Sequence, residues 1–150
     1  MGEMLERQDW ALLVLGAAEG HPLQPVQFQK TLFLVGENVK PVERGISSSF
    51  YGFEPYDYGP FDRDVYIDAE QLEREGLAII TTRPGRSYSE YAATAAGVDR
   101  ARALGASIPP QVAEYINRVV AWARTRTFSE IVRAIYQKYP EQRARSVFNG

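Results

Sequence analysis

Few side chains in this sequence could carry out covalent chemistry. The chain has no cysteine, which excludes disulfides, thiolate metal sites and cysteine nucleophiles. Its single histidine, His21, lies between a glycine and a proline and is predicted to be a turn residue. Ser47, Ser48 and Ser49 have no base near them in the sequence. Glycine-rich phosphate loops and nucleophile-elbow motifs do not occur. We therefore predict no catalytic residues, no enzymatic activity and no cofactor.

A group of aspartates could bind a metal ion or act as an acid–base pair. Asp62 and Asp64 are two positions apart on a predicted helix, so their side chains point about 200° apart. Asp64 and Asp68 share a helix face, but the sequence offers no second group of ligands. Asp57 or Asp62, near a helix N-terminus, fits the role of a cap or dipole partner. We predict no metal site.

Aromatic side chains are concentrated in one segment. Five of them lie within eleven positions: Tyr51, Phe53, Tyr56, Tyr58 and Phe61. In one interpretation, Phe53 and Phe61 belong to the core and Tyr58 packs over the glycine–proline turn that follows it. In the other, Tyr51 and Tyr56 face outward in a protein interface, where tyrosine supplies rigid area and one hydrogen bond. The two interpretations are compatible if the core is too small to hold all five rings.

The apolar spacing and the turn residues predict the elements that carry these side chains. Three helices are predicted first, over about 3–19, 25–39 and 61–75. The second starts at Pro25 and carries an apolar stripe that continues to residue 39. One short strand is predicted within 47–53, and residues 77–82 and 87–92 are predicted to form a hairpin. Thr94, Pro110 and Thr127 begin further helices, the last with a capping box to Glu130.

This order predicts a mainly α protein with a small β-hairpin, in the α+β class, formed as a single domain of residues 1–150. Residues 3–92 are predicted to form a winged-helix-like unit. Two or three further helices within 94–139 should pack on it, and 140–150 should form a tail. The residues predicted to be buried are Phe28, Leu32, Val35, Val65, Leu72, Ile79, Ile116 and Ile135.

The net charge of −2 hides an asymmetry. Residues 1–99 hold 8 Lys and Arg against 16 Asp and Glu, whereas residues 100–150 hold 9 against 3. Either the two halves pack together with their charges in water or paired, or the basic end contacts an anionic partner. No apolar run approaches the roughly 20 residues of a membrane span, so we expect no membrane association and a cytoplasmic location.

Three motifs along the chain resemble one family. Residues 28–33, Phe-Gln-Lys-Thr-Leu-Phe, are similar to the LQKxLF/Y motif of the Panacea, or SocA-like, antitoxin superfamily and the related YwgA-like proteins. Residues 56–61, Tyr-Asp-Tyr-Gly-Pro-Phe, followed by Val65-Tyr66, resemble its YGP(F/V)…VY motif. Residues 135–140 resemble IYxKYP. The resemblance implies a bacterial or phage-borne domain that binds a protein, as an antitoxin or as an adaptor that delivers a toxin to a protease.

Two functions are compared on this basis. The first is a protein-binding module whose partner is a toxin, a protease or a larger defence or regulatory complex. Its predicted contact residues are Tyr51, Phe53, Tyr56, Asp57, Tyr58, Phe61, Arg63, Tyr66 and Glu70. The alternative is a winged-helix DNA-binding regulator. Residues 62–75 carry a net charge of −4, which opposes the approach of that helix to phosphate, so Lys30, Arg83 and Arg86 would make the DNA contacts.

Overall fold

The computed structural model describes residues 4–150, and these form six α-helices, one short 3-10 helix and two antiparallel two-stranded sheets. The mixed α+β class is confirmed. The helices are α1 (Arg7–Ala17), α2 (Pro25–Val39), α3 (Asp64–Arg74), α4 (Ala95–Gly105), α5 (Pro110–Arg124) and α6 (Phe128–Lys138), followed by the 3-10 turn Pro140–Arg143. The strands are β1 (Glu54–Tyr56), β2 (Gly59–Phe61), β3 (Ala78–Thr82) and β4 (Ser89–Ala93).

The boundaries of the helices follow from their terminal residues. Helix α2 starts with Pro25 in its first turn, where a missing N–H costs nothing. The Thr94 hydroxyl accepts the N–H of Gly97 at the start of α4. Thr127 and Glu130 form the predicted capping box of α6, each accepting the other's backbone N–H.

Helix α1 lies at the centre of the main core and packs against α2, α3, α4 and α5. Trp10 is fully buried and donates its indole N–H to the Ser47 hydroxyl oxygen at 2.9 Å. The contact between α1 and α4 is close, because a Cβ added to Gly16 would overlap the Cβ of Ala101. A Cβ on Gly97 would likewise overlap the carbonyl of Leu77. These glycines therefore set the distance of α4 from its neighbours.

Seven of the eight residues predicted to be buried are buried, and the prediction for Ile79 is wrong. The Ile79 side chain is 52% exposed, whereas its neighbour Ala78 is 2% exposed. Successive side chains of a strand point to opposite faces, and the β3–β4 sheet has only one face against the core. The apolar run over 77–80 does not show which face that is.

The strand predicted within 47–53 is also wrong. Ser47 makes only an isolated bridge with Leu5, and the hairpin follows it, with Glu54 opposite Phe61 and Tyr56 opposite Gly59. Gly59 follows the tight turn with φ +100°, a conformation that favours glycine.

The C-terminal segment packs along this hairpin. Beyond the 3-10 turn, the Val147 N–H donates to the Asp57 carbonyl at 2.9 Å. The Phe148 ring lies 6.4 Å from Phe128 and 6.2 Å from Tyr136 between centroids. Among residues 4–150, the structure shows no helix long and apolar enough to cross a membrane.

Candidate functional site

The three motifs meet at the β1–β2 hairpin. Lys30 of α2 donates a hydrogen bond from Nζ to the carbonyl oxygen of Pro60 at 3.0 Å. Gln29 bonds the backbone of Asp62 in both directions, donating to its carbonyl at 2.8 Å and accepting its N–H at 3.1 Å. The Tyr136 ring lies beside Gly59, because a Cβ on that glycine would be 3.5 Å from Tyr136 Cε1. Segments that lie far apart in the sequence therefore build one site.

This site contains an open cavity of about 240 Å³. Gln29 and Lys30 are its most buried polar residues, with 1% and 5% of their surface exposed. Aromatic side chains from the hairpin, α3 and α6 line the rest. We call this cavity the aromatic pocket; its aromatic residues are Tyr56, Tyr58, Phe61, Tyr66 and Phe128.

The rings around the pocket contact one another in two groups. Tyr56 stacks on Phe61 with centroids 5.2 Å apart, and Phe61 lies 5.9 Å from Tyr66. On the other side, Tyr58 meets Phe128 edge to face at 5.1 Å. Tyr56 and Tyr58 are each 44% exposed and Phe128 is 39% exposed. The protein thus presents a concave, largely aromatic surface to solvent.

Lys30 is the unusual group in this pocket. Within residues 4–150 no carboxylate lies within ion-pair distance of its ammonium, and the Pro60 carbonyl is its one hydrogen-bond acceptor. Burial lowers the pKa of the Lys30 amine to about 8, because the charged form loses its hydration. At neutral pH the amine is therefore mostly charged, with N–H donors to spare.

Tyr51 does not face outward as one interpretation predicted; that prediction is wrong. The side chain is 7% exposed, and its hydroxyl donates to Asp68 Oδ2 at 2.7 Å. Arg7 binds both oxygens of the same carboxylate at 2.8 and 2.9 Å, and contacts Asp64 at 3.0 Å. Phe53 is half-buried and meets Phe33 edge to face at 5.7 Å. Tyr51 and Phe53 therefore belong to the packing beneath the surface.

The other predicted contact residues divide between the pocket and its flank. Asp57, in the hairpin turn, lines the aromatic pocket. Tyr66 is half-buried and stacks on Tyr91, with centroids 5.3 Å apart. Arg63 and Glu70 are exposed on α3 and do not line the pocket.

Asp62, Asp64 and Asp68 make hydrogen bonds and ion pairs that stabilise the fold. Asp62 accepts the N–H of Asp64 at 2.9 Å, which satisfies a free donor at the start of α3, as predicted for a cap. Asp64 and Asp68 share a face, as predicted, and both contact Arg7. In the part of the chain that the structure describes, no three acidic or histidine side chains converge on a metal site.

Of the three residues assigned to DNA contacts, Lys30 is placed differently from the prediction. Lys30 is buried, so it does not lie on a surface that DNA could touch. Arg83 and Arg86 are exposed at the tip of the β3–β4 hairpin, but both lie near Glu90, at 3.5 and 3.2 Å. A phosphate would have to compete with that carboxylate.

Three residues of the site were not singled out from the sequence. Gln29 and Tyr136 stand inside the quoted motifs, next to residues that were assigned to the core. Phe128 follows the capping threonine at the first position of α6, and a single apolar residue at such a position gives no signal of a site in the sequence.

Comparison of the chain with protein-family models, with curated proteins and with solved structures finds no match. The resemblance to the SocA-like and YwgA-like proteins stays a prediction from the three motifs.

Proposed function

We propose that this protein is a non-catalytic protein-binding module that contacts its partner through the aromatic pocket. The observation that supports this most is the exposure of Tyr56, Tyr58 and Phe128 around one cavity. Tyrosine and other large aromatic residues are the groups most often found at the energetic centre of protein interfaces. A concave patch with such groups accepts a protruding side chain of a partner.

The surface is held in place before any partner binds. Gln29 and Lys30 fix β2 from one side, and the Val147 N–H bonds the turn from the other. Pro55 and Pro60 lie opposite each other in the hairpin and restrict its backbone. Little conformational entropy would therefore be lost on binding, which favours affinity.

We propose a winged-helix-like arrangement for the N-terminal unit that carries the pocket. Its support is the order α1, α2, α3 and the β3–β4 hairpin, together with the packing of α3 against α1 and against β3. The β1–β2 hairpin is an addition between α2 and α3, and it is the part that builds the pocket.

The partner that we propose is a cognate protein of the toxin or protease kind, bound in the cytoplasm. The exposed acidic residues of α3 include Glu70 and Glu73, and Glu70 lies one helical turn beyond the pocket residue Tyr66. Such charges would steer a basic protein toward the surface and repel nucleic acid. This is the charge pattern expected of an inhibitor of a nucleic-acid-binding toxin.

The test uses purified protein and the products of adjacent genes in its native host. Wild type should bind one of them, and the Tyr56→Ala/Tyr58→Ala double variant should weaken the affinity by at least about tenfold. Tyr88→Ala is the matched control, because Tyr88 is a 36% exposed tyrosine outside the pocket. Equal affinity of the double variant and wild type for a bound partner would contradict the proposal, provided that circular dichroism shows both to be folded.

A further inference from the structure

We propose that the aromatic pocket is a carboxylate-binding site: it takes a carboxylate borne on a small aromatic or apolar group, with Lys30 as the charge partner. The proposal goes beyond the proposed function, because it applies equally to a free carboxylic acid and to a carboxyl group of a partner protein.

The first support is the charge at the base of the pocket. Lys30 is 5% exposed, and the Pro60 carbonyl at 3.0 Å is its one acceptor among the described residues. A buried ammonium without a counter-charge destabilises the folded protein unless further partners satisfy it. Its aliphatic stem lies beside Gly59, because a Cβ there would be 3.6 Å from Lys30 Cε. An anionic group that enters the cavity would supply the missing acceptor.

The second support is the size and lining of the cavity. A volume of about 240 Å³ is below the roughly 300–1,000 Å³ of sites for drug-sized ligands. The ligand is therefore of side-chain size. The aromatic lining suits an apolar body. The buried amide of Gln29 is already bonded to Asp62, and Lys30 is the cationic side chain among the lining residues.

The other ionisable groups nearby define the selectivity. Asp57, Tyr56 and Tyr58 come from the hairpin, Tyr66 from α3 and Tyr136 from α6. Burial raises the pKa of the Tyr66 hydroxyl well above its usual value, so it stays neutral where Lys30 titrates. Asp57 is the one carboxylate that lines the pocket, and its charge opposes an anion. Asp57→Asn should therefore strengthen carboxylate binding.

The experiment measures the binding of 3-phenylpropionate by two-dimensional NMR, with 3-phenylpropanamide as the neutral counterpart of the same shape. We expect the acid to shift the resonances of the pocket and to bind at least about tenfold more tightly than the amide. Lys30→Met should abolish this preference. Lys40→Met, which removes an exposed lysine, should keep it, and Asp57→Asn should increase it.

A second arm identifies the source of the carboxylate. A short peptide ending in phenylalanine with a free carboxyl terminus is compared with the same peptide as its amide. Tighter binding of the free peptide than of 3-phenylpropionate assigns the site to a partner's terminus. Binding of 3-phenylpropionate alone assigns it to a free acid. Both results support the carboxylate site, and neither requires a partner protein.

In the binding experiment, three results would overturn the proposal: no shift with either probe, equal affinities of acid and amide, or an unchanged preference in folded Lys30→Met. If Lys30→Met does not fold, contact between the carboxylate and Lys30 can be tested in the wild-type protein through the pKa of Lys30. A bound carboxylate favours the charged amine, so it should raise the pKa of Lys30 above about 8. Carbon NMR of labelled lysine measures this pKa, and an unchanged value at saturating acid would exclude direct contact.

Discussion

At the scale of single residues, Tyr51 and Tyr56 belong to one segment but have different roles: one is part of the buried packing and the other is exposed. The Tyr51 hydroxyl completes the set of donors around the buried Asp68 carboxylate. Tyr56 lies at the surface, stacked on Phe61, with the Arg145 guanidinium 5.5 Å from its ring centroid. The two residues have the same chemistry, and the difference comes from what surrounds each hydroxyl.

Tyr51→Phe should lower the free energy of unfolding by about 1–2 kcal/mol, because a buried carboxylate loses one charge-assisted hydrogen bond. Partner binding by the folded variant should not change, since Tyr51 is buried. Urea denaturation measures the change in stability. Tyr56→Phe is the control and should stay within about 0.5 kcal/mol of wild type. Equal effects of the two substitutions would show that the Tyr51–Asp68 bond does not contribute to stability.

The buried Lys30 predicts an unusual dependence of stability on pH. Its pKa in the folded protein, about 8, lies below the usual 10.5. Between these values the unfolded chain binds the proton and the folded chain does not, so stability rises with pH. Relative to Lys30→Met, the unfolding free energy of wild type should rise by about 2–3 kcal/mol from pH 7 to pH 10.

Chemical denaturation of both proteins at several pH values tests this. Groups that titrate in both proteins cancel in the difference, which leaves the contribution of Lys30. If the difference in unfolding free energy between wild type and Lys30→Met stayed constant from pH 7 to pH 10, the Lys30 amine would be hydrated in the folded protein. The proposal that Lys30 is a buried charge in need of an anionic partner would then lose its support.

At the scale of elements, Gly16 of α1 and Gly97 of α4 set how closely α4 packs against its neighbours. Gly97→Ala should lower the free energy of unfolding by about 1–3 kcal/mol, because its Cβ would overlap the backbone carbonyl of Leu77, which cannot easily move. Gly105→Ala in the same helix meets no atom within 4 Å and should be neutral or slightly stabilising. Thermal and urea unfolding of the pair measure this. Similar stabilities of the two variants would show that α4 can shift away without cost.

Helix α2 and the β1–β2 hairpin show how far the sequence predicts the fold. The start of α2 is determined locally, by Pro25 and an apolar stripe of helical period, so pattern and structure agree. In the hairpin Pro55 faces Pro60, and neither has an N–H to donate. The hairpin depends instead on Lys30 and on the C-terminal segment, which local pattern cannot reveal.

Contacts between segments far apart in the sequence also explain why Lys30 and Phe128 were not predicted as pocket residues. The aromatic residues of the hairpin were predicted as contact residues because their composition is unusual for a loop. Lys30 was assigned to a surface because lysine is rarely buried. Its burial results from the hairpin folding over α2, and Phe128 joins the site only through the placement of α6.

At the scale of the whole molecule, the charge asymmetry remains at the surface. Among the described residues, the one ion pair made by a residue of 100–150 is Arg102 with Asp99, at 3.7 Å, and it is local. The other cations of this region are not paired with the acidic front of the chain. The exposed ones include Arg118, Arg124, Arg126, Arg133 and Lys138. Helices α4, α5 and α6 pack on α1 and α2 while these charges face water, as the first of the two interpretations of the charge pattern predicts.

We expect α3 not to enter the major groove of DNA, because its charge opposes phosphate. Fluorescence anisotropy with a generic duplex at low and high salt measures any binding. If binding occurs, Arg83→Ala with Arg86→Ala should weaken it and reduce the salt dependence, whereas Glu73→Gln with Glu75→Gln should not weaken it. Base contacts made by α3 in a complex would show that the electrostatic argument is wrong.

The burial of Trp10 has a spectroscopic consequence. The chain has two tryptophans. Trp10 is fully enclosed beside Phe50 and Ser47, whereas Trp122 is half-buried and lines a cleft formed by α2, α5 and α6. In Trp122→Phe, the remaining indole emits from an apolar site that water does not reach. A red shift of this emission during unfolding would mark the moment at which solvent enters the centre of the molecule.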